Sequence, residues 1–546
     1  MFIKNKIFIC ALFTIVLGGC ATIANRDWGK EYGEVPATGV PSDIAPSFYN
    51  LEYGEFENRP AHAPVMDGNV KQVSVLLPLT GPNAGLGAGI RNAVEIAFLQ
   101  KQPAGVIVTF NDLSGDKAAK TEKIKSVLER NPDMIIGPIF SEDVEILRTL
   151  KSAGTPALTF TSSHSVLGGG VFTLALLPNQ SVEAIIKSGG GAPDVTQLMI
   201  LAPDTKAGHM LANTALEAAG FYNIGVSGLY YYKESDMNSQ KSVAEKAALW
   251  NARQQAATRA KEILSDILTN HDMDASERDD IESQLELLSK SDTVGSLPFD
   301  AVLFLGNAGD SRSLASFMRY FDVPGATVRF LGTAMWDTEV MWGDVTFSGA
   351  EYSALPAISQ DFVRVYSDLH GAMPNRMNSM GYDAAMLTIG ALTGKRVPAA
   401  HLLDPAGYNG LDGLVRLRPN GTNERALQIM RLNASGAPRI KTPAARNFMT
   451  PLYKTEIPRA GRPREIEPSA AFDPMDYITL PAHLAGRHNA RKSDAPETYD
   501  AAANPVIIIT EEDSDAPVEI DPDFTPVKID AVDRQMVDSV TVTQRQ

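Results

Sequence analysis

Cysteine is almost missing from this chain. Its 546 residues contain two, Cys10 and Cys20, and both fall in the first twenty positions. The body that follows therefore has no disulfide and no thiolate metal site, and must be held together by its apolar core. Hydrophobic residues make up 44% of the chain, and its length is enough for two or three domains. The eight histidines are scattered, with no His-Glu-x-x-His or other ligand spacing. Long apolar runs are absent too: after residue 20 none approaches the roughly 20 residues that cross a bilayer. There is no excess of positive charge. The net charge of −16, without a basic cluster, excludes a nucleic-acid partner. Neither a Gly-x-Ser-x-Gly elbow nor a Walker loop is present. No catalytic constellation, metal site or cofactor is expected.

What is present begins with Lys4 and Lys6, followed by an uncharged, mostly apolar run from Ile7 to Leu17. Residues 1–19 read as an export signal of ordinary h-region length. Small residues, Gly18 and Gly19, precede Cys20, and Ala21 follows it. This resembles the bacterial lipoprotein processing site, in which the thiol of Cys20 is acylated. An aspartate after the cysteine would signal retention in the inner membrane, so Ala21 points to the outer membrane, periplasmic face. Residues 20–70 are rich in Pro, Gly, Tyr and acids without a sustained period, and read as a tether spanning roughly 40 Å.

From residue 71 to about 455 strands and helices alternate. Val73–Leu79 is an apolar run ended by Gly81-Pro82-Asn83. A helix follows with Ile90, Ala93, Val94, Ala97 and Phe98 near one face. Strands at 106–110, 134–137 and 156–161 alternate with helices at 116–130 and 141–153. Short connections of this kind imply a parallel sheet covered on both faces. The pattern restarts at Gln197–Ala202 and continues through strands at 224–232, 300–306 and 329–332. The fold class is thus α/β in two lobes, about 71–175 and 180–380, the second ending in a return helix near 382–392. Residues 235–298 interrupt the second lobe with a polar, alanine-rich helical pattern. They read as an inserted hairpin of two amphipathic helices, with Ser276 and Asp279 as a cap for the second. Val415–Leu417 and Leu427–Leu432 read as a late hairpin. Residues 456–546 read as a largely disordered acidic tail, poor in apolar surface apart from Val506–Ile509.

Two motifs invite other chemistry. Gly85-Leu86-Gly87-Ala88-Gly89 opens a helix, and Asp112 ends the next strand. A dinucleotide fingerprint needs Gly-x-Gly-x-x-Gly in a tighter turn, so the spacing is wrong. Asp272-Met273-Asp274 has the look of a calcium loop but lacks the turn glycine and terminal glutamate.

The order of elements carries a resemblance. Val75–Pro82, Ile135-Ile136-Gly137-Pro138 before Ser141, and Pro156–Thr159 before Ser162 and Ser163 resemble leucine-binding-type (type I) periplasmic receptors. That resemblance implies a ligand cleft between the lobes, with Ser141, Ser162 and Ser163 on the first lobe. On the second lobe it implies Asn307 where an aromatic is expected. Ala334 stands where those receptors place the acid for a ligand ammonium, with Asp310 and Asp337 as nearby substitutes. The chain also resembles the penicillin-binding-protein activators, through Pro78–Pro82, Ile136–Ile139, the lipid anchor and its length. That branch implies a non-catalytic lipoprotein that stimulates a cell-wall synthase. The receptor branch implies the binding component of an ABC-type importer for amino acids or another small polar ligand.

Overall fold

A computed structural model describes residues 70–484, apart from 153, 191–194, 435–436 and 449–456. The signal, Cys20, nearly all of the tether and Val506–Ile509 lie outside the described residues. Among the described residues no helix is long and apolar enough to cross a membrane.

The first lobe is built from β1 (Lys71–Leu77), α1 (Ala84–Lys101), β2 (Val106–Asp112), α2 (Lys117–Glu129), β3 (Met134–Ile136), α3 (Ser141–Leu150), β4 (Ala157–Thr159) and β5 (Val171–Thr173). Its five strands lie in the order β2-β1-β3-β4-β5, all parallel. Val73 to Leu77 are buried with no outward-facing polar positions. That is the pattern of a central parallel strand covered on both faces.

The second lobe begins with α4 (Pro178–Gly190), β6 (Gln197–Pro203), α5 (Lys206–Phe221) and β7 (Gly225–Tyr232). Three inserted helices follow: α6 (Met237–Ala247), α7 (Trp250–Asn270) and α8 (Ala275–Ser289). Then come β8 (Ala301–Phe304), α9 (Ala308–Tyr320), β9 (Arg329–Gly332) and β10 (Glu351–Ala354). The chain next returns to the first lobe as α10 (Gln360–His370), α11 (Arg376–Thr393), α12 (Pro398–Leu402), β11 (Tyr408–Gly410), β12 (Gly413–Leu417) and β13 (Asn423–Arg425). It finally re-enters the second sheet as β14 (Gln428–Arg431) and β15 (Arg439–Thr442), giving the order β15-β14-β10-β9-β8-β6-β7.

Four sequence expectations need correction. The return helix α11 packs on α1 of the first lobe, not on the second. Two glycines permit this: a Cβ on Gly89 would sit 2.5 Å from the Asn378 side chain, and one on Gly381 2.8 Å from Ile90. Gly87 of the same run answers a different neighbour: a Cβ there would collide with the Pro78 carbonyl oxygen after β1. The late hairpin closes earlier than expected: β12 pairs antiparallel with β13 (Asn423–Arg425), while β14 belongs to the second sheet. The insert has three helices, broken at Leu249 with φ 50°, and the cap of α8 is Asp274 in a capping box with Glu277.

The fourth correction concerns the tail. Residues 457–484 are packed on the second lobe. Ile466 exchanges backbone hydrogen bonds of 2.9 and 3.0 Å with Leu229, covering the edge of β7. Leu484, Met475, Ile478 and Leu480 fill the groove of the α7–α8 hairpin beside Ile263, Leu264, Ile267 and Ile281. These apolar residues follow no period, because an extended strap is shaped by the groove it fills. A periodicity argument misses them.

Candidate functional site

Three chain crossings join the lobes: 174–177, 355–359 and 426–427. They are tied by buried polar groups. Asn423 Nδ2 donates to the carbonyls of Thr173 (2.9 Å) and Ala175 (2.8 Å), and Gln180 Nε2 to that of Asn423 (2.8 Å). Arg425 donates to the Leu174 carbonyl (2.6 Å) and pairs with the fully buried Asp412. Asp383 stands in the same cluster. Burial, and then the charge of Asp412, push its carboxyl up to about 8, although the Leu411 N–H and Arg425 oppose this.

In an open parallel sheet a ligand lies outside the carboxyl ends of the strands. On the first lobe those ends carry hydroxyls. Leu79 N–H and Thr80 Oγ1 bond Asp112 at 2.8 and 2.6 Å, which fixes the turn after β1. Burial opposes the Asp112 charge, but bonds from Ser114, Thr80 and Leu79 outweigh it and hold the carboxyl low. Ser141 does not cap α3. Phe140 occupies the cap position with extended backbone, and Ser141 is the first helical residue, exposed. Its hydroxyl has no hydrogen-bond partner among the described residues. Ser162 is likewise exposed after β4, while Ser163 shares its hydroxyl with Ser165 at 3.0 Å. Strands β3 and β4 are neighbours in register, Ile136 beside Leu158, so Ser141 and Ser162 follow strand ends about 4.8 Å apart.

The second lobe differs. Asn307 is the cap of α9: its Oδ1 accepts from the Asp310 N–H at 2.9 Å, and its Nδ2 donates to Asp310 Oδ2 at 2.9 Å. The other carboxylate oxygen of Asp310 accepts from Ser235 N–H (3.0 Å) and Gln240 Nε2 (2.8 Å). Asp310 is buried, and its charge fastens α6 to α9. Asp337 accepts from the Tyr352 hydroxyl at 3.2 Å and faces Arg376 of the first lobe at 3.5 Å. Ala334 is fixed by its backbone, donating to Ser181 Oγ at 2.6 Å. Trp336 is buried against Phe304 and Phe347, whereas Trp342 is exposed.

Arg376 and the hinge pair Asp412–Arg425 were not recognised in the sequence as site groups. One signal was there for Arg376: it opens a helix directly after its Asn375 cap, where the helix dipole disfavours a cation. Among the described residues no group of three His, Cys, Asp or Glu is placed to hold a metal.

The family model described as periplasmic binding protein matches residues 72–437. Similar solved structures include a leucine-binding protein from Thermotoga maritima: 15% identity over 68% of this chain and 98% of that one, TM-score 0.43. An ABC transporter substrate-binding protein from Desulfitobacterium hafniense shares 14% over 68% and 99%, TM-score 0.45. A solute-binding protein of R. palustris in complex with benzoate shares 14% over 69% and 98%, TM-score 0.41. No curated protein is a match.

Proposed function

The chain belongs to the periplasmic binding protein family, whose members bind rather than catalyse, and we propose that it is a receptor for a small carboxylate taken between its lobes and passed to an ABC-type importer. One observation carries the reading. The first lobe presents the exposed hydroxyls of Ser141 and Ser162 at adjacent strand ends, with the positive end of α3 beside them. The acids of the second lobe, Asp310 and Asp337, are engaged within the protein. A carboxylate has donors to meet; an α-ammonium finds both of these acids already engaged. The test is thermal unfolding with small carboxylates such as 4-methylpentanoate and benzoate. A ligand that binds only the folded state raises the midpoint with the logarithm of its excess over Kd. A saturable rise supports the reading, and no response to any carboxylate overturns it.

A second reading rests on the insert. Two of its helices, α7 and α8, are strapped to the second lobe by residues 457–484, which suits a surface for protein contact. On that reading the chain is a lipoprotein on the periplasmic face of the outer membrane, anchored at Cys20, that binds and stimulates a penicillin-binding protein. Affinity capture from envelope extracts, with and without residues 250–290, tests it; recovery of no cell-wall synthase sinks it.

A further inference from the structure

Arg376 is an unlikely residue for its place unless tertiary contacts demand it. It opens α11 after a capping box in which Asn375 accepts from Met377 N–H (2.8 Å) and Asn378 N–H (3.2 Å). A cation at this end meets the positive pole of the helix. Its guanidinium turns away to other partners. One nitrogen donates to the Pro356 carbonyl and lies 3.6 Å from the buried Asp412. The other donates to the Leu355 carbonyl at 3.2 Å and faces Asp337 at 3.5 Å. The fork thus spans the first lobe, a crossing segment and the second lobe. Both side chains of the Arg376–Asp337 pair are about a third exposed, 34% and 33%, so the pair lies at the solvent edge rather than in the core.

The other candidate acid, Asp310, is saturated by Asn307, Ser235 and Gln240. Asp337 is therefore the acid that a ligand cation would have to reach, and a cation from the facing lobe is already there. An ammonium would have to compete with that guanidinium for the carboxylate. The displaced guanidinium would keep its carbonyls and Asp412 but lose its cross-lobe partner.

We infer that Arg376 determines specificity: its guanidinium is a built-in cation that occupies Asp337 and turns the cleft against ligands carrying an ammonium group. This rests on reading the cleft as a ligand site. The test begins with Arg376→Met, which keeps an apolar stem and removes the charge. Sub-denaturing guanidinium chloride should restore the lost melting temperature of this variant in a saturable way. It should do so neither in wild type nor in the double variant Arg376→Met, Asp337→Asn. Arg376→Met should also bind leucine at least tenfold more tightly, relative to 4-methylpentanoate, than wild type does. Arg376→Lys, which retains a cation, should still disfavour leucine. Absence of rescue, equal rescue in the double variant, or a leucine gain in Arg376→Lys each overturns the assignment. The rescue is read without any carboxylate, so failure of the receptor reading shows separately, as wild type that answers to none.

Discussion

The two lobes share one architecture and finish their cleft edges in opposite ways. The first lobe leaves hydroxyls exposed at the ends of β3 and β4 and spends Asp112, at the end of β2, on a turn. The second lobe has its polar groups already engaged: Asn307 and Asp310 cap a helix and anchor the insert, and Asp337 meets Arg376 of the facing lobe. The contrast teaches that carboxyl-end topology marks where a ligand goes, while hydrogen-bond occupancy decides which charges remain to receive it.

The largest test of this contrast removes the strap. A chain ending at residue 456 uncovers the α7–α8 groove and the edge of β7, both on the second lobe. Each large apolar side chain it exposes costs about 1.5–3 kcal/mol, so the loss should exceed roughly 5 kcal/mol. Calorimetry should then show the second lobe melting ahead of the first; one unshifted transition contradicts this. Next is Asp310→Ala. It strands Gln240, Asn307 and the Ser235 N–H, and should cost about 3 kcal/mol while leaving carboxylate binding intact. Lost binding with unchanged stability would make Asp310 a ligand group instead.

At the seam, Asp383 gives a pH signature. Its carboxyl is held near 8 against an ordinary 3.8. Between those values the folded chain keeps a proton that the unfolded chain releases, so stability falls as pH rises through that window. Asp383→Asn keeps an acceptor for the Leu411 N–H and should flatten the fall, by roughly 3 kcal/mol between pH 5 and 8. An identical pH profile in the variant would rule out this origin. The smallest stability effect belongs to Ser141→Ala and Ser162→Ala. Each should change stability by less than about 0.5 kcal/mol, yet weaken carboxylate binding about tenfold, as expected for one bond to a charged group. Titration calorimetry measures it, and undiminished affinity would remove the serines from the site.

Much of this architecture was legible in the sequence, and the illegible parts share a cause. The strands of both sheets appear as apolar runs because central parallel strands are buried on both faces. The serines after β3 and β4 were singled out by the resemblance to leucine-binding-type receptors. What escaped depends on non-local contact. Residues 457–484 carry apolar side chains without a period, because an extended strap copies a groove that the sequence does not display. The placing of α11 on the first lobe rests on Gly89 and Gly381, which permit close helix packing but do not announce it. The commitment of Asp310 depends on Gln240, seventy residues away. Sequence spacing identifies an acid near a strand end; it does not show that the acid is already bonded.

The central claim is that the cleft accepts a carboxylate and offers no place for an ammonium. Its most direct test is calorimetric titration of the intact chain with leucine and 4-methylpentanoate, which differ by the ammonium group alone. The account predicts that 4-methylpentanoate binds at least as tightly as leucine, and that Ser141→Ala weakens it. Leucine binding tenfold or more tightly, with that advantage lost in Asp337→Asn, would contradict it.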